Sequence, residues 1–350
     1  MPDEPLVECV PNVSEGRDPE VISALAAAVR AVGGVDLLHV DRGVDAHRTV
    51  FTFAGPPEAV GDAAIALGHA VAALVDMRRQ RGAHPRLGAL DVCPFVPVRG
   101  VSLDRCARLA RRVGATLARD LQLPVYLYEA AAFDASRRAL PVLRRGEFEG
   151  LTAKMNDPSF VPDFGPRVPH PTMGAAVVGA RSFLIAWNLS LDTSDVDVAR
   201  DIARRVRTSG WTDTEGGSLV RHAGLLAAVR AVGWGMPSYG HAQVSLNLLD
   251  FTVTPLATAY RVVADVAAAH GTRVTGSELV GLVPLEALKA AGRDALGAAM
   301  APASDGELVA AAVGALHLDA LGPFDPSQRV LEWAIDAVDR ATDPRQPAGS

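Results

Sequence analysis

VDLLHVDRGVDAHRTVFTF, residues Val35–Phe53, sets two apolar, β-branched runs in succession, Val35–Val40 and Thr49–Phe53, on either side of the turn-rich RGVDAHR. Two strands with only a turn between them pair directly, so the chain does not follow a simple alternating βαβ path at this point. Upstream, Val7–Pro11 reads as a strand. Asp18 and Pro19 supply an N-cap and a first-turn proline for a helix over Glu20–Val32, which Gly33 and Gly34 end. Downstream, Pro57–Val75 has helical spacing, and Leu90–Val98 returns as a strand. The order is βαββαβ, the ferredoxin-like or split βαβ arrangement, an α/β (α+β) fold with helices covering one face of a mostly antiparallel sheet. A helix over Leu103–Leu121 and a strand over Pro124–Tyr128 extend it.

The second half has the same rhythm: Phe183–Leu189, Val196–Arg207, Ala227–Gly233, Ala242–Phe251, Pro255–His270 and Arg273–Val280 again read βαββαβ. Two ferredoxin-like subdomains are expected, over residues 1–180 and 181–338, with a ligand cleft between them and a disordered tail over 339–350. Phe148–Arg181 is proline-rich and weakly periodic, yet too apolar for a flexible linker. Such a long ordered loop inside a compact protein is usually functional.

Composition narrows the class. Across 350 residues, 34 Lys plus Arg against 40 Asp plus Glu give a net charge of −6, which argues against a broad nucleic-acid surface. Arginine carries most of the positive charge, so a carboxylate ligand would meet guanidinium forks. The three cysteines share no metal-ligand spacing and read as reduced core residues. Neither a secretory signal nor a membrane-spanning run is legible, which points to the cytoplasm.

RGAHPRLGALDVCPFVPV, residues 81–98, holds the leading catalytic candidate. His84 lies in a turn before a strand, followed by Pro85, Arg86 and Gly88; the alternative is a histidine on a solvated loop. His39, Asp41, Asp45, His47 and Arg48 form a second polar cluster. Its HxDxxxDxH spacing leaves three readings open: a metal site, a solvated turn, or part of an organic active site with His84. In the third, Asp41 is the carboxylate that fixes the tautomer of His84, and Arg48 and Arg86 are flanking cations suited to a carboxylate substrate. VPNVSEGRD, with Asn12, ends the first strand in a polar turn. The sequence holds no GxxxxGKS loop and no GxSxG elbow.

ECVPNVSEGRD, RTVFTFAGPPEAV, RGAHPRLGALDVCPFVPVRGVS, LPVYLYEAAA, PDFGPRVPHPTMGAAVVGAR and VSLNLLDF occur in the order and at the spacing found in glutamate formimidoyltransferases. The chain resembles that family over residues 6–335. The resemblance implies a folate-dependent transferase that moves a formimidoyl group from N-formimidoyl-glutamate to N5 of tetrahydrofolate. It implies His84 as the proton-transfer residue, Asp41 beside it, and Arg48, Arg86 and Asn12 toward the substrate. The folate would be met by the loop Gly165, Pro166, Arg167, Val168, Pro169, His170, Pro171, Thr172, Met173 and Gly174. Tetrahydrofolate would be the co-substrate, with small molecules as ligands, no metal, nucleotide, nucleic acid or membrane partner, and a homodimer as the assembly. The chain departs from the family at Ala83, where Glu is common, at Leu87, where Met is usual, and in HPTMGAA and GWGMPSYGHAQVSLN. Those departures leave open a paralogue that moves a one-carbon unit between folate and another amino acid or metabolite. A folate-binding protein without turnover is the other alternative.

Overall fold

The computed structural model describes residues 4–82, 84–236, 240–297 and 303–342. Ala83, part of the loop that holds GMPSYG, and residues 343–350 of the expected tail lie outside the described residues. The chain forms two compact units, Met1–Ser182 and Phe183–Ser350.

In unit 1 the elements are β1 (Leu6–Cys9), β2 (Asn12–Val13), α1 (Pro19–Arg30), β3 (Asp36–Gly43), β4 (Arg48–Gly55), α2 (Pro57–Leu74), β5 (Leu90–Arg99), α3 (Leu103–Leu121), β6 (Val125–Glu129), α4 (Leu140–Arg144), α5 (Leu151–Asn156) and β7 (Ala176–Ala180). β3 pairs with β4, β4 with β1 and β2, and these with β5, all antiparallel. That is the strand order of the split βαβ fold. The start of α1 follows the sequence: the Asp18 carboxylate accepts from the backbone N–H groups of Glu20 and Val21, with Pro19 at the first turn.

α1, α2 and α3 cover one face of this sheet, where Leu25, Phe51, Phe53, Leu67, Phe95 and Leu117 are fully buried in one core. Side chains alternate along a strand, so Phe51 and Phe53 on the helix side place Arg48, Val50 and Thr52 on the other side. That opposite face has a smaller core of its own, with Leu87, Val92, Tyr126, Leu143, Leu151 and Met155. α4 and α5 cover part of it, and the polar residues of β4 and β5 meet there.

Phe148–Arg181 departs from the expectation of an irregular loop. It contains α5 and ends in β7, which runs parallel between β5 and β6. AVVGA is buried on both faces, so it carries no two-residue alternation and reads like any short apolar run.

Unit 2 contains β8 (Ile185–Leu191), α6 (Val196–Val206), β9 (Trp211–Glu215), β10 (Ser218–His222), β11 (Val229–Met236), β12 (His241–Leu248), α7 (Leu256–Ala269), β13 (Val274–Val280), α8 (Leu285–Leu296), α9 (Asp305–Ala315), α10 (Pro326–Arg329) and α11 (Leu331–Thr342). Its main sheet, in the order β11-β12-β8-β13, is antiparallel throughout and repeats the strand order of unit 1. The β9–β10 hairpin is an addition that the sequence reading passed over. α11 runs to Thr342, so the start of the tail placed at residue 339 is too early: the helical pattern of LEWAIDAVDRAT carries through those positions. Among the described residues, no helix is long and apolar enough to cross a membrane.

Candidate active site

β5 carries an irregularity at the centre of the site. Val13 pairs with Leu90 but Asn12 pairs with Val92, so Asp91 is an extra residue in the strand. Such a bulge re-aims a side chain, and here it turns a carboxylate onto the face away from α1–α3. Asp91 is fully buried. One carboxylate oxygen accepts from the Leu87 backbone N–H at 2.7 Å. The other accepts from Arg48 Nη1 at 2.7 Å and Arg144 Nη2 at 2.5 Å. Burial alone would raise this carboxyl; the guanidiniums of Arg144 and Arg48 and the Leu87 N–H outweigh it and hold Asp91 at about 2.

Arg48, at the start of β4 and itself buried, ties three elements together. Its Nε donates to Asn12 Oδ1 at 2.8 Å, and its Nη1 lies 3.1 Å from His84 Nδ1. Burial, and then the charge of Arg144, lower Arg48 to about 10 against the pull of Asp91. His84 is partly buried, and the same Nδ1 lies 2.7 Å from the Pro85 carbonyl oxygen. Burial, with the positive charges of Arg48 and Arg144 behind it, pushes His84 well below the ordinary histidine range. The imidazole is therefore neutral at physiological pH. Two guanidiniums, one carboxylate and a neutral imidazole leave this cluster with one net positive charge.

The structure thus brings together three of the predicted residues, His84, Arg48 and Asn12. Asp41 lies on β3 opposite Val50, and His39 opposite Thr52, so both are on the face that carries Arg48. The Asp41 carboxylate is 3.9 Å from His39 Nε2. His84 Nδ1 faces the Pro85 carbonyl, and the carboxylate bonded to Arg48 is Asp91. The HxDxxxDxH residues divide: His47 instead bonds through Nδ1 to Arg81 and faces Glu15 Oε1 at 3.3 Å through Nε2.

Arg86 has a different place from the one expected. It is buried, donates from Nε to Gln80, and forms ion pairs with Glu147 and, through two nitrogens, Glu149. Gln80 also donates to the His47 carbonyl, so Arg86 and Gln80 staple both ends of the turn that carries His84. With four of its five N–H donors engaged, Arg86 acts as a clamp on the 147–149 segment.

The loop Gly165–Gly174 docks on the residues that follow His84. The Met173 carbonyl accepts from the Ala89 N–H at 2.9 Å, and Met173 is buried. His170 Nδ1 accepts from the backbone N–H groups of Thr172 and Met173, closing a turn that ends at Gly174 in the left-handed region. Arg167 anchors the other side on the carbonyls of Met155 and Asn156. Gly88 is what lets the two segments meet, since a Cβ there would lie 2.1 Å from the Ala175 carbonyl oxygen and 2.3 Å from that of Met173. Gly88→Ala is expected to cost about 1–3 kcal/mol and to free the loop. A chemical-denaturation midpoint within error of wild type would refute that.

Asp91 and Arg144 escaped the sequence reading. The signal for Asp91 was a single carboxylate inside the apolar run LDVCPF, because a charge in a buried strand requires partners. Arg144 gave no local signal; only the fold brings the end of α4 within reach of Asp91.

Residues 6–181 match the formiminotransferase domain, N-terminal subdomain, and residues 186–336 match the formiminotransferase domain. The formimidoyltransferase-cyclodeaminase of Rattus norvegicus is 44% identical over 94% of this chain and 60% of its own length. This chain therefore spans about three fifths of that relative. The glutamate formimidoyltransferase of Streptococcus pyogenes serotype M1 is 36% identical over 81% of this chain and 90% of its own. The protein of that name from Thermoplasma acidophilum is 38% identical over 81% and 89%.

Proposed function

Since this chain belongs to the formiminotransferase family, we propose that it transfers a formimidoyl group from N-formimidoyl-L-glutamate to N5 of tetrahydrofolate. In this reading residues 1–180 and 181–338 are its two subdomains, and His84 is the acid/base residue. The observation that carries it is the neutral imidazole 3.1 Å from the Arg48 guanidinium, on the sheet face where the 165–174 loop docks.

Transfer forms a bond from N5 to the formimidoyl carbon and breaks the bond from that carbon to the glutamate nitrogen. N5 must lose a proton, and the departing nitrogen must gain one. With the Nδ1 proton of His84 donated to the Pro85 carbonyl, Nε2 carries the lone pair that takes the N5 proton. The imidazolium so formed sits beside Arg48, whose charge disfavours it, and this drives the proton on to the leaving nitrogen. The Arg48–Asp91–Asn12 bonds hold that cation in place while the proton moves. Tetrahydrofolate is a consumed co-substrate here, and the 165–174 loop is the segment assigned to it.

Formation of 5-formimidoyl-tetrahydrofolate from the two substrates tests the reading; no product above background would end it. The pH dependence adds a second check. His84 serves as the base only when neutral, and its pKa is depressed, so kcat/KM should hold steady through the usual histidine range and fall only below it. An acid limb centred near 6.5 would contradict this assignment of His84.

A further inference from the structure

Arg144 lies at the end of α4 and reaches Asp91 through Nη2 alone, while its Nε is buried without a hydrogen-bond partner. A buried guanidinium nitrogen left without an acceptor is uncommon and calls for an explanation. Its backbone is firmly placed. The Arg144 carbonyl accepts from the Glu147 N–H at 2.8 Å, and the Lys154 ammonium binds the carbonyls of Val142, Leu143 and Arg145 around the helix end. The Phe148 N–H in turn donates to the Arg86 carbonyl at 2.9 Å, tying this segment to the turn that holds His84. Arg144 is thus a preplaced cation, 15% exposed, held by a single side-chain hydrogen bond. Asp91 neutralises only one of the two guanidiniums it bridges.

We infer that Arg144 binds a carboxylate of the formimidoyl donor and so sets the preference for an amino-acid donor. This rests on the formimidoyl-transfer reading. Arg144 and Arg48 share one oxygen of Asp91, and Arg48 Nη1 is 3.1 Å from His84, so the uncompensated charge lies close to the group that moves the proton. The donor's α-carboxylate is a few bonds from the transferred carbon. The glutamyl carboxylates of tetrahydrofolate are separated from N5 by the whole aminobenzoyl group. An anion that must sit next to the chemistry is therefore the donor's, and a charge-assisted bond to a guanidinium is the contact that would read it.

The test compares wild type, Arg144→Gln and Arg144→Lys. The donors are N-formimidoyl-L-glutamate and its α-amide and γ-amide; the acceptors are tetrahydrofolate and tetrahydropteroate, which lacks the glutamate. Arg144→Gln should raise KM for the full donor by about 10- to 100-fold. The penalty should shrink for one of the amide donors and be the same with either acceptor. Arg144→Lys should recover part of the loss. An equal loss on all three donors, or one that disappears with tetrahydropteroate, would overturn the inference. Calorimetric binding of N-formyl-L-glutamate, measured without folate so that no acceptor is present, separates this from the parent reading. If wild type transfers nothing, the parent reading fails; a weaker Kd in Arg144→Gln would still uphold the carboxylate site, and an unchanged Kd would remove it.

Discussion

His84→Ala is expected to lower kcat by about 10²- to 10⁴-fold while leaving folate affinity within a few-fold of wild type. The size follows from the chemistry: the imidazole is the neutral base of the cluster, and the neighbouring guanidiniums can donate but cannot accept a proton at working pH. The fold should survive the change. Arg48 keeps its bonds to Asn12 and Asp91, and the turn that carried His84 stays stapled by Gln80 and Arg86. Single-turnover rates together with folate titration check the result. A loss below about tenfold would remove His84 from proton transfer; a parallel loss of folate affinity would recast it as a binding residue.

The fold was legible where hydrophobic period and local chemistry agree. Asp18–Pro19 marked the start of α1, and the tandem runs at 35–40 and 49–53 marked β3 and β4. The same pattern in the second half gave β8, α6, β11, β12, α7 and β13 to within a few residues. It failed at β7, where burial on both faces removes the alternation, and at the β9–β10 hairpin, whose WTDTE and SLVRH runs are short and polar on the surface. The site was legible only in part, for a related reason. His84, Arg48 and Asn12 are polar residues at strand ends and turns, where sequence reading looks for chemistry. Asp91 faces them because of a bulge, and Arg144 because α4 packs on β6 and its last side chain reaches Asp91; both depend on tertiary pairing. Arg86 misled because proximity in sequence to His84 is not proximity of side chains: its carboxylate partners are 61 and 63 residues away.

Asp91→Asn should destabilise the protein by about 3–5 kcal/mol, because it keeps the shape but leaves the Arg48 and Arg144 charges buried against a neutral amide. The pH dependence of the wild type bounds one part of that loss. The Asp91 carboxyl is lowered from 3.8 to about 2, so its ionised form contributes on the order of 2 kcal/mol, fully present above about pH 4 and lost as the pH falls through about 2. The remainder belongs to the two guanidiniums, which lose their shared acceptor oxygen when an amide NH2 takes its place, while the remaining oxygen still accepts from the Leu87 N–H. Arg48, freed from Asp91, no longer keeps its place beside His84, so activity should fall with stability. Urea midpoints measured from pH 7 down to 2 decide the matter: wild type should lose stability more steeply than Asp91→Asn below about pH 4. A variant within about 0.5 kcal/mol of wild type at pH 7 would mean that water reaches the guanidiniums and that the cluster is not the dry, preorganised site its geometry describes.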